Sequence, residues 1–515
     1  MGILHPRGGW LVGDGSPKTN PSIHRETVVA GLVLAAGHGT RMRSRTPKVL
    51  HPVCGLPLLE YPLRALEAVG AIEAGVVIGA GAERVRAAFA DRMVSGRSIR
   101  WALQDPPRGT GDAVRVGLER MLDDLPKGCA LFILNGDLPL LSAHSLAEML
   151  DQHRDTDAAM TLLTLELENP HGYGRIVRGP GGVADIVEEA DADEATRAIH
   201  EVNGGVYLAE PHALSRALRD WIERDEGNVQ GEVYFPPVAR VLVEQGERVH
   251  AYELPVGRER ELQQVNDRIE QSKAIAIRRA QIIEEHQRRG VTVVDPASTL
   301  IEEDVEIEAD TVVQPFTVIR RGARIGRACE VGPFAHIREG TSMDEGSAIG
   351  NFTEIKNTSL GVGSKAKHLS YLGDGIVGAG VNIGAGTIFA NYDGRRKSTT
   401  VVGDGAFVGS GTILVAPVEI GEHAQTGAGA VVTRGRDVPA HTTVVGIPAR
   451  PLHGSGKQHG PSPHGPSPHG PSPHSPVEHS PVENGADEHS PDERRAEPRR
   501  SEEGERTDPA GAERD

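Results

Sequence analysis

The sequence predicts an α/β protein built from two unlike parts: a mostly parallel sheet covered by helices, and then a parallel β-helix. Three observations carry this. From about Val28 to Val256, short apolar runs alternate with helix-like segments. Past Ile301 the apolar residues recur at every sixth position. The length, 515 residues, exceeds one ordinary domain and provides for two or three.

In the first part, "VVAGLVLAAG" (28–37), "AGVVIGAG" (74–81) and "CALFILNGD" (129–137) are strands of the fully buried kind, rich in Val, Ile and Leu. Helix-like segments lie between them, at 56–70 and 110–124. Such alternation implies parallel strands with helices on both faces, and ligands bind beyond the carboxyl ends of those strands. Gly37 and Asp137 fall at two such ends. Residues 258–290 read as a helical connector closed by Gly290.

In the second part, Ile301, Ile307, Val313, Ile319, Ile325, Val331, Ile337, Met343, Ile349 and Ile355 follow a strict period of six. After a one-residue slip come Leu360, Ala366 and Leu372, then Val377, Ile383 and Phe389. A last block holds Val402, Val408, Leu414, Ile420, Thr426 and Val432. Neither a helix nor a flat strand repeats every six residues. A triangular solenoid does, with one inward residue on each side of every coil. Thirteen residues separate Phe389 from Val402, so a polar loop leaves the solenoid there, and such loops commonly carry sites.

These segments divide the chain into an N-terminal extension (1–27), a sheet domain (28–257), the connector (258–290), the β-helix (291–452) and a tail (453–515). The extension lacks the apolar core of a signal peptide and is expected to be disordered. The tail begins with an "HGPSP" repeat and ends in mixed charge, a composition that cannot bury enough apolar surface to fold.

A net charge of −17 excludes a general nucleic-acid binder, which needs a basic field against phosphates. The three cysteines, Cys54, Cys129 and Cys329, are far apart and form neither a disulfide framework nor a cysteine zinc site. No apolar run is long enough to span a bilayer, so no membrane association and a cytoplasmic location are expected.

The chemistry begins at "LVLAAGHGTRMRSRTPKVLH" (32–51), where a strand-end glycine turn meets Arg41 and Lys48. The turn lacks the third glycine of a dinucleotide fingerprint and the Gly-Lys-Ser/Thr of a Walker A loop. "LAAGHGTRM" followed by "PKVLH" resembles the signature of sugar-1-phosphate nucleotidyltransferases. That resemblance implies a Rossmann-like domain in which Leu34, Ala35, Ala36 and Gly37 wrap UTP while Arg41 and Lys48 neutralise its phosphates. "LQDPPRGTGDAV" (103–114) is similar to the base-reading segment, with Gln104 on the pyrimidine and Gly109 and Thr110 against it. Asp137 in "LNGDLPLLS" and Asn266 in "QQVNDR" match the family's Mg²⁺ ligands, a set adequate for a metal that keeps waters and substrate phosphates. Gly174, Glu188 and Asn203 match positions that hold the sugar and its N-acetyl group.

The β-helix carries "GPFAHIREG" (332–340), "GNFTEIKN" (350–357), "GSKAKHLSYLGD" (363–374) and "VNIGAGTIFANYDGRRK" (381–397). In this order, after the first domain, they resemble the family of bifunctional N-acetylglucosamine-1-phosphate uridyltransferases/glucosamine-1-phosphate acetyltransferases over roughly residues 28–450. The resemblance implies a left-handed β-helix and a His368 that deprotonates the sugar amine. A histidine suits that step because its ordinary pKa lies near neutrality. It further implies that Arg338 and Lys356 clamp the sugar phosphate of glucosamine-1-phosphate, and that Tyr371 and Asn382 position the sugar. Asn391 and Tyr392 would line the same pocket and, with Ala385, Ser410, Ala428 and Lys397, would meet acetyl-CoA. A homotrimer, and uridylylation of N-acetylglucosamine-1-phosphate to a precursor of cell-wall polymers, follow from the same source.

Four positions depart from the family pattern: His38 for a common lysine, Asn135 for an aromatic residue, Pro236-Pro237 for a Thr-Asp-like pair, and Gly446 for an arginine in some members. Two other readings compete. One is a single-activity sugar-1-phosphate nucleotidyltransferase with a regulatory β-helix, against which His368 and the "NYDGRRK" loop speak. The other is a scaffold, which has no need of Arg41, Lys48 and Asp137 at one sheet edge.

Overall fold

The computed structural model describes residues 27–224 and 232–452. The expectations for residues 1–26 and for the tail from 453 lie outside the described residues.

Strands Val29–Ala35, Ala74–Ile78, Arg100–Leu103 and Ala130–Asn135 form a parallel run, with Val29–Ala35 between Ala130–Asn135 and Ala74–Ile78. Val29–Val33 is buried throughout because helices cover both faces, which is why the sequence shows a continuous apolar run there. Beyond Asn135 the sheet changes character. Glu201–Ala209 joins antiparallel to Ala130–Asn135 and to Met160–Glu166, and Arg175–Gly179 makes an edge hairpin with Gly182–Val187. The parallel geometry thus belongs to the half carrying the glycine turn, and the half carrying Gly174, Glu188 and Asn203 is largely antiparallel. A two-residue turn at 180–181 permits an antiparallel hairpin, whereas a parallel neighbour needs a crossover.

The connector forms a helix over Arg268–Arg288. Asp267 caps it, its Oδ1 accepting from the Ile269 and Glu270 amides at 2.8 Å. Ala274, Ile282 and Ile283 of this helix share one apolar core with Val53, Cys54 and Leu58 of the sheet domain and with Ile301 of the first coil. Arg64 adds a bidentate bond to Asp304 at 2.8 Å across the same junction.

The solenoid has three faces of short parallel strands. Every predicted inward residue from Ile301 to Val432 is buried, none more than 7% exposed. Coil length follows from the register. Ile301 pairs with Ile319 and Ile319 with Ile337, 18 residues apart. Met343 pairs with Leu360 and Ile355 with Leu372, 17 apart, which accounts for the slip in the hexads. Phe389 pairs with Leu414, 25 apart, because residues between 390 and 400 loop out, joined by a Tyr392–Lys397 bridge. These geometries agree with a Rossmann-like first domain followed by a left-handed β-helix.

Candidate active sites

The first site lies at the carboxyl end of the parallel run. Past Ala35 the chain turns through Gly37 and His38, and Gly39 (φ 59°) starts a single 3-10 turn, Thr40–Met42. A Cβ on Gly39 would lie 2.7 Å from Lys48 Cβ, so this glycine lets the turn pass against Lys48. Lys48 Nζ lies 2.5 Å from Asp137 Oδ2 and 3.1 Å from Asn266 Oδ1. Asn266 is drawn there by the bond from the Val265 amide to the Asp137 carbonyl, 3.1 Å. Two side-chain oxygens therefore already converge on one cationic group, accepting from its N–H bonds. Among the described residues no cluster of three or more His, Cys, Asp or Glu is placed to hold a metal. The donor set is that of a hard cation needing few protein ligands, and it fits Mg²⁺.

Leu34, Ala35, Ala36, Gly37, His38, Lys48, Gln104, Gly109, Thr110, Asp137 and Asn266 line one cavity of about 500 Å³. The Gln104 side chain is buried and donates from Nε2 to the Gly109 carbonyl and to Asp112 Oδ2, each at 2.9 Å. Arg41 is exposed, outside the lining of this cavity. A second hollow of about 240 Å³ shares Leu34, Thr110, Asn135 and Gln264 with the first and is lined by Gly174, Glu188 and Asn203. Asn203 is held by Tyr207, its Nδ2 donating to the phenolic oxygen at 2.6 Å. Burial, and then the charge of Asp191, raise Glu188 above the usual carboxylate range. Sequence reasoning assigns no role to Gln264, Tyr207 or Asp112. Gln264 stands two residues before Asn266, and Asp112 shares the segment of Gln104 and Thr110; those proximities are the signals available in the sequence.

The second site follows from coil arithmetic. Asn351 pairs with His368, 17 residues on, and 17 further along stands Ala385. The Gly411 amide donates to the Ala385 carbonyl at 2.7 Å and the Gly429 amide to the Ser410 carbonyl at 2.8 Å. Asn351, His368, Ala385, Ser410 and Ala428 thus occupy one position on successive coils, a column along one corner. His368 is exposed, and its Nδ1 lies 3.1 Å from Asn351 Oδ1. An Nδ1–H donating to that oxygen would leave Nε2 as the basic nitrogen.

On the adjoining face, Arg338 Nη1 lies 2.7 Å from Glu354 Oε1. Arg338 and Lys356 each lie 3.5 Å from Glu339 Oε1. The bond to Glu354 raises the Arg338 pKa. Tyr371 and Asn391 converge above Gly373, where a Cβ would lie 2.6 Å from the phenol oxygen and 2.8 Å from Asn391 Nδ2. Asp374 anchors the neighbourhood, accepting from Asn357 at 2.7 Å and from Asn391 at 2.5 Å. Asn382 is exposed on the face that carries Lys365. Tyr392 and Lys397 lie on the exposed loop, with the Tyr392 hydroxyl donating to the Gly394 carbonyl at 2.7 Å. Asn351 and Glu354 lie in "GNFTEIKN" without a role that the sequence alone assigns; the 17-residue spacing of Asn351 from His368 is the signal.

Comparison with known proteins agrees with both halves. Residues 31–233 match the MobA-like NTP transferase domain, and residues 399–434 match the bacterial transferase hexapeptide (six repeats). The chain is 40% identical over 451 residues to the bifunctional protein GlmU of Brevibacillus brevis, covering 81% of this chain and 94% of the relative. The chain belongs to the GlmU family. GlmU of Rubrobacter xylanophilus is 42% identical, with 81% of this chain and 93% of the relative covered. GlmU of Mycolicibacterium vanbaalenii is 40% identical, with 82% and 92% covered. Membership accounts for two catalytic centres in one chain, a uridyltransferase and an acetyltransferase of UDP-N-acetylglucosamine synthesis.

Proposed function

We propose that the two centres act in series through the residues described above. At the β-helix, the amine of glucosamine-1-phosphate attacks the thioester carbonyl of acetyl-CoA. A C–N bond forms, the C–S bond breaks, and CoA leaves as a thiolate that becomes the thiol with the proton removed from the amine. His368 Nε2 takes the amine proton, with Asn351 fixing the tautomer. Arg338 and Lys356 receive the sugar phosphate, while Tyr371, Asn382 and Asn391 orient the sugar. The small side chains of Ala385, Ser410 and Ala428 leave room for acetyl-CoA along the corner, with Tyr392 and Lys397 at its flank. The observation that carries the acetyl-transfer reading is the column in which His368 adjoins those three residues.

At the sheet domain, a phosphate oxygen of N-acetylglucosamine-1-phosphate attacks the α-phosphorus of UTP and pyrophosphate leaves. Both reactants are anions, so positioning and charge neutralisation do most of the catalysis. Asp137 and Asn266 would hold Mg²⁺, which when bound supplies positive charge to the phosphates. Lys48 and Arg41 neutralise phosphate oxygens, Gln104 with Gly109 and Thr110 reads the base, and Gly174, Glu188 and Asn203 hold the sugar.

A homotrimer fits this reading. Phe316, Phe334 and Phe352 stack at 4.8 and 5.3 Å between ring centroids and are 46–58% exposed, an apolar ladder that a neighbouring copy would cover. A cytoplasmic location suits the substrates, and no described helix is long and apolar enough to cross a membrane. The 28–257, 258–290 and 291–452 divisions are proposed as the working domains.

The test supplies glucosamine-1-phosphate, acetyl-CoA, UTP and Mg²⁺ and follows CoA thiol and pyrophosphate together. Both are expected from the wild type. An absence of thiol release would favour the single-activity alternative.

A further inference from the structure

Asp112 has no place in the mechanism above and does not line the nucleotide cavity, yet its side chain is buried against the residue that reads the base. Its Oδ2 accepts from Gln104 Nε2 at 2.9 Å. Its Oδ1 accepts from Arg115 Nη2 at 2.7 Å and Nε at 3.1 Å. The second acceptor on Gln104 Nε2 is the Gly109 carbonyl, also at 2.9 Å. A carboxylate and a carbonyl can only accept, so the amide NH₂ must face both of them. Rotating the amide by half a turn would set Oε1 against two acceptors and bury the unmade bonds, a costly arrangement. The orientation of Gln104 is therefore fixed from behind, and Oε1 is the atom it presents to the cavity.

We infer that Asp112 is a positioning residue for pyrimidine choice, locking the Gln104 amide so that Oε1 meets the N3–H of uracil and repels the N3 lone pair of cytosine. This rests on the reading that Gln104 contacts the base. The relay runs Arg115, Asp112, Gln104, base, and only its last member touches the nucleotide. Asp112→Asn weakens the lock, because the new amide offers Gln104 either an acceptor or a donor.

The experiment measures kcat/KM for UTP and for CTP, with N-acetylglucosamine-1-phosphate and Mg²⁺, by pyrophosphate release. For Asp112→Asn the UTP/CTP ratio is expected to fall about tenfold or more, the scale of one misaligned buried hydrogen bond. The KM for the sugar phosphate at the uridyltransferase centre should hold at its wild-type value, which general loosening of the sheet domain would not allow. Gln104→Ala should lower the same ratio and raise the UTP KM. The double variant should be no less selective than Gln104→Ala alone. An unchanged ratio in Asp112→Asn, or additive losses in the double variant, would overturn the relay while leaving the base contact standing. An unchanged UTP KM in Gln104→Ala would instead remove the base contact, and the relay with it. Should Asp112→Asn not fold, Asp112→Ser is read by the same ratio.

Discussion

The two active centres are assembled in opposite ways. The proposed nucleotide site gathers Gly37, Lys48, Gln104, Asp137 and Asn266 from five segments, and its key contact joins Lys48 to a residue 89 positions away. The proposed acetyl-transfer column uses one corner of a repeating coil, so Asn351, His368 and Ala385 follow each other at intervals of 17. A site of the first kind depends on the whole sheet holding its strand ends together. A site of the second kind depends only on neighbouring coils keeping register. The two should therefore fail independently.

The sharpest way to break this contrast is His368→Ala. Acetyl transfer should fall by about 10²–10⁴-fold, the usual contribution of a general base. Pyrophosphate release from supplied N-acetylglucosamine-1-phosphate should stay at wild-type rate. Lys48→Ala is the mirror experiment, with uridylyl transfer expected to drop about 10²–10³-fold, by analogy with loss of one transition-state charge contact, and thiol release unaffected. A loss of both activities in either variant would mean that the centres are coupled.

Ile337→Val, at a fully buried inward position, should cost about 1 kcal/mol by thermal or urea unfolding of the β-helix and leave uridylyl transfer intact. The smallest effect concerns the extruded loop. Asp393 accepts from the Arg396 and Arg395 amides and from Arg434, which together bring its carboxyl down to about 2. Because the folded value is depressed, this anchor is fully present above the ordinary aspartate value and is lost only as pH falls through about 2. Arg434→Ala should move the Asp393 carboxyl titration upward by NMR and raise the acetyl-CoA KM only a few-fold.

The same contrast explains what the sequence makes legible. The hexads announce the solenoid because one coil must bury the same position as the next, and even the slip after Ile355 is a real 17-residue coil. In the sheet domain the parallel strands are visible as apolar runs, whereas the antiparallel half depends on pairing between distant segments. Lys48, Asp137 and Asn266 are recognisable by motif, and the structure brings them within hydrogen-bonding reach. Gln264 and Asp112 stand inside quoted motifs without an assigned role, and like Tyr207 each matters only through the neighbour that folding supplies. Arg41 is the converse case, prominent in a motif yet exposed beyond the cavity wall.

The register of the coils has one more consequence. A solenoid edits its length in whole quanta: 18 residues, or 17 where a corner tightens, move everything downstream by one strand spacing, about 4.8 Å, and rotate nothing. Any other insertion must be expelled sideways. The 25-residue coil between Phe389 and Leu414 is such an event, an ordinary turn carrying seven surplus residues as a side loop. It leaves Ser410 and Ala428 in step with His368, so the fold can acquire a new appendage without losing alignment of the old one.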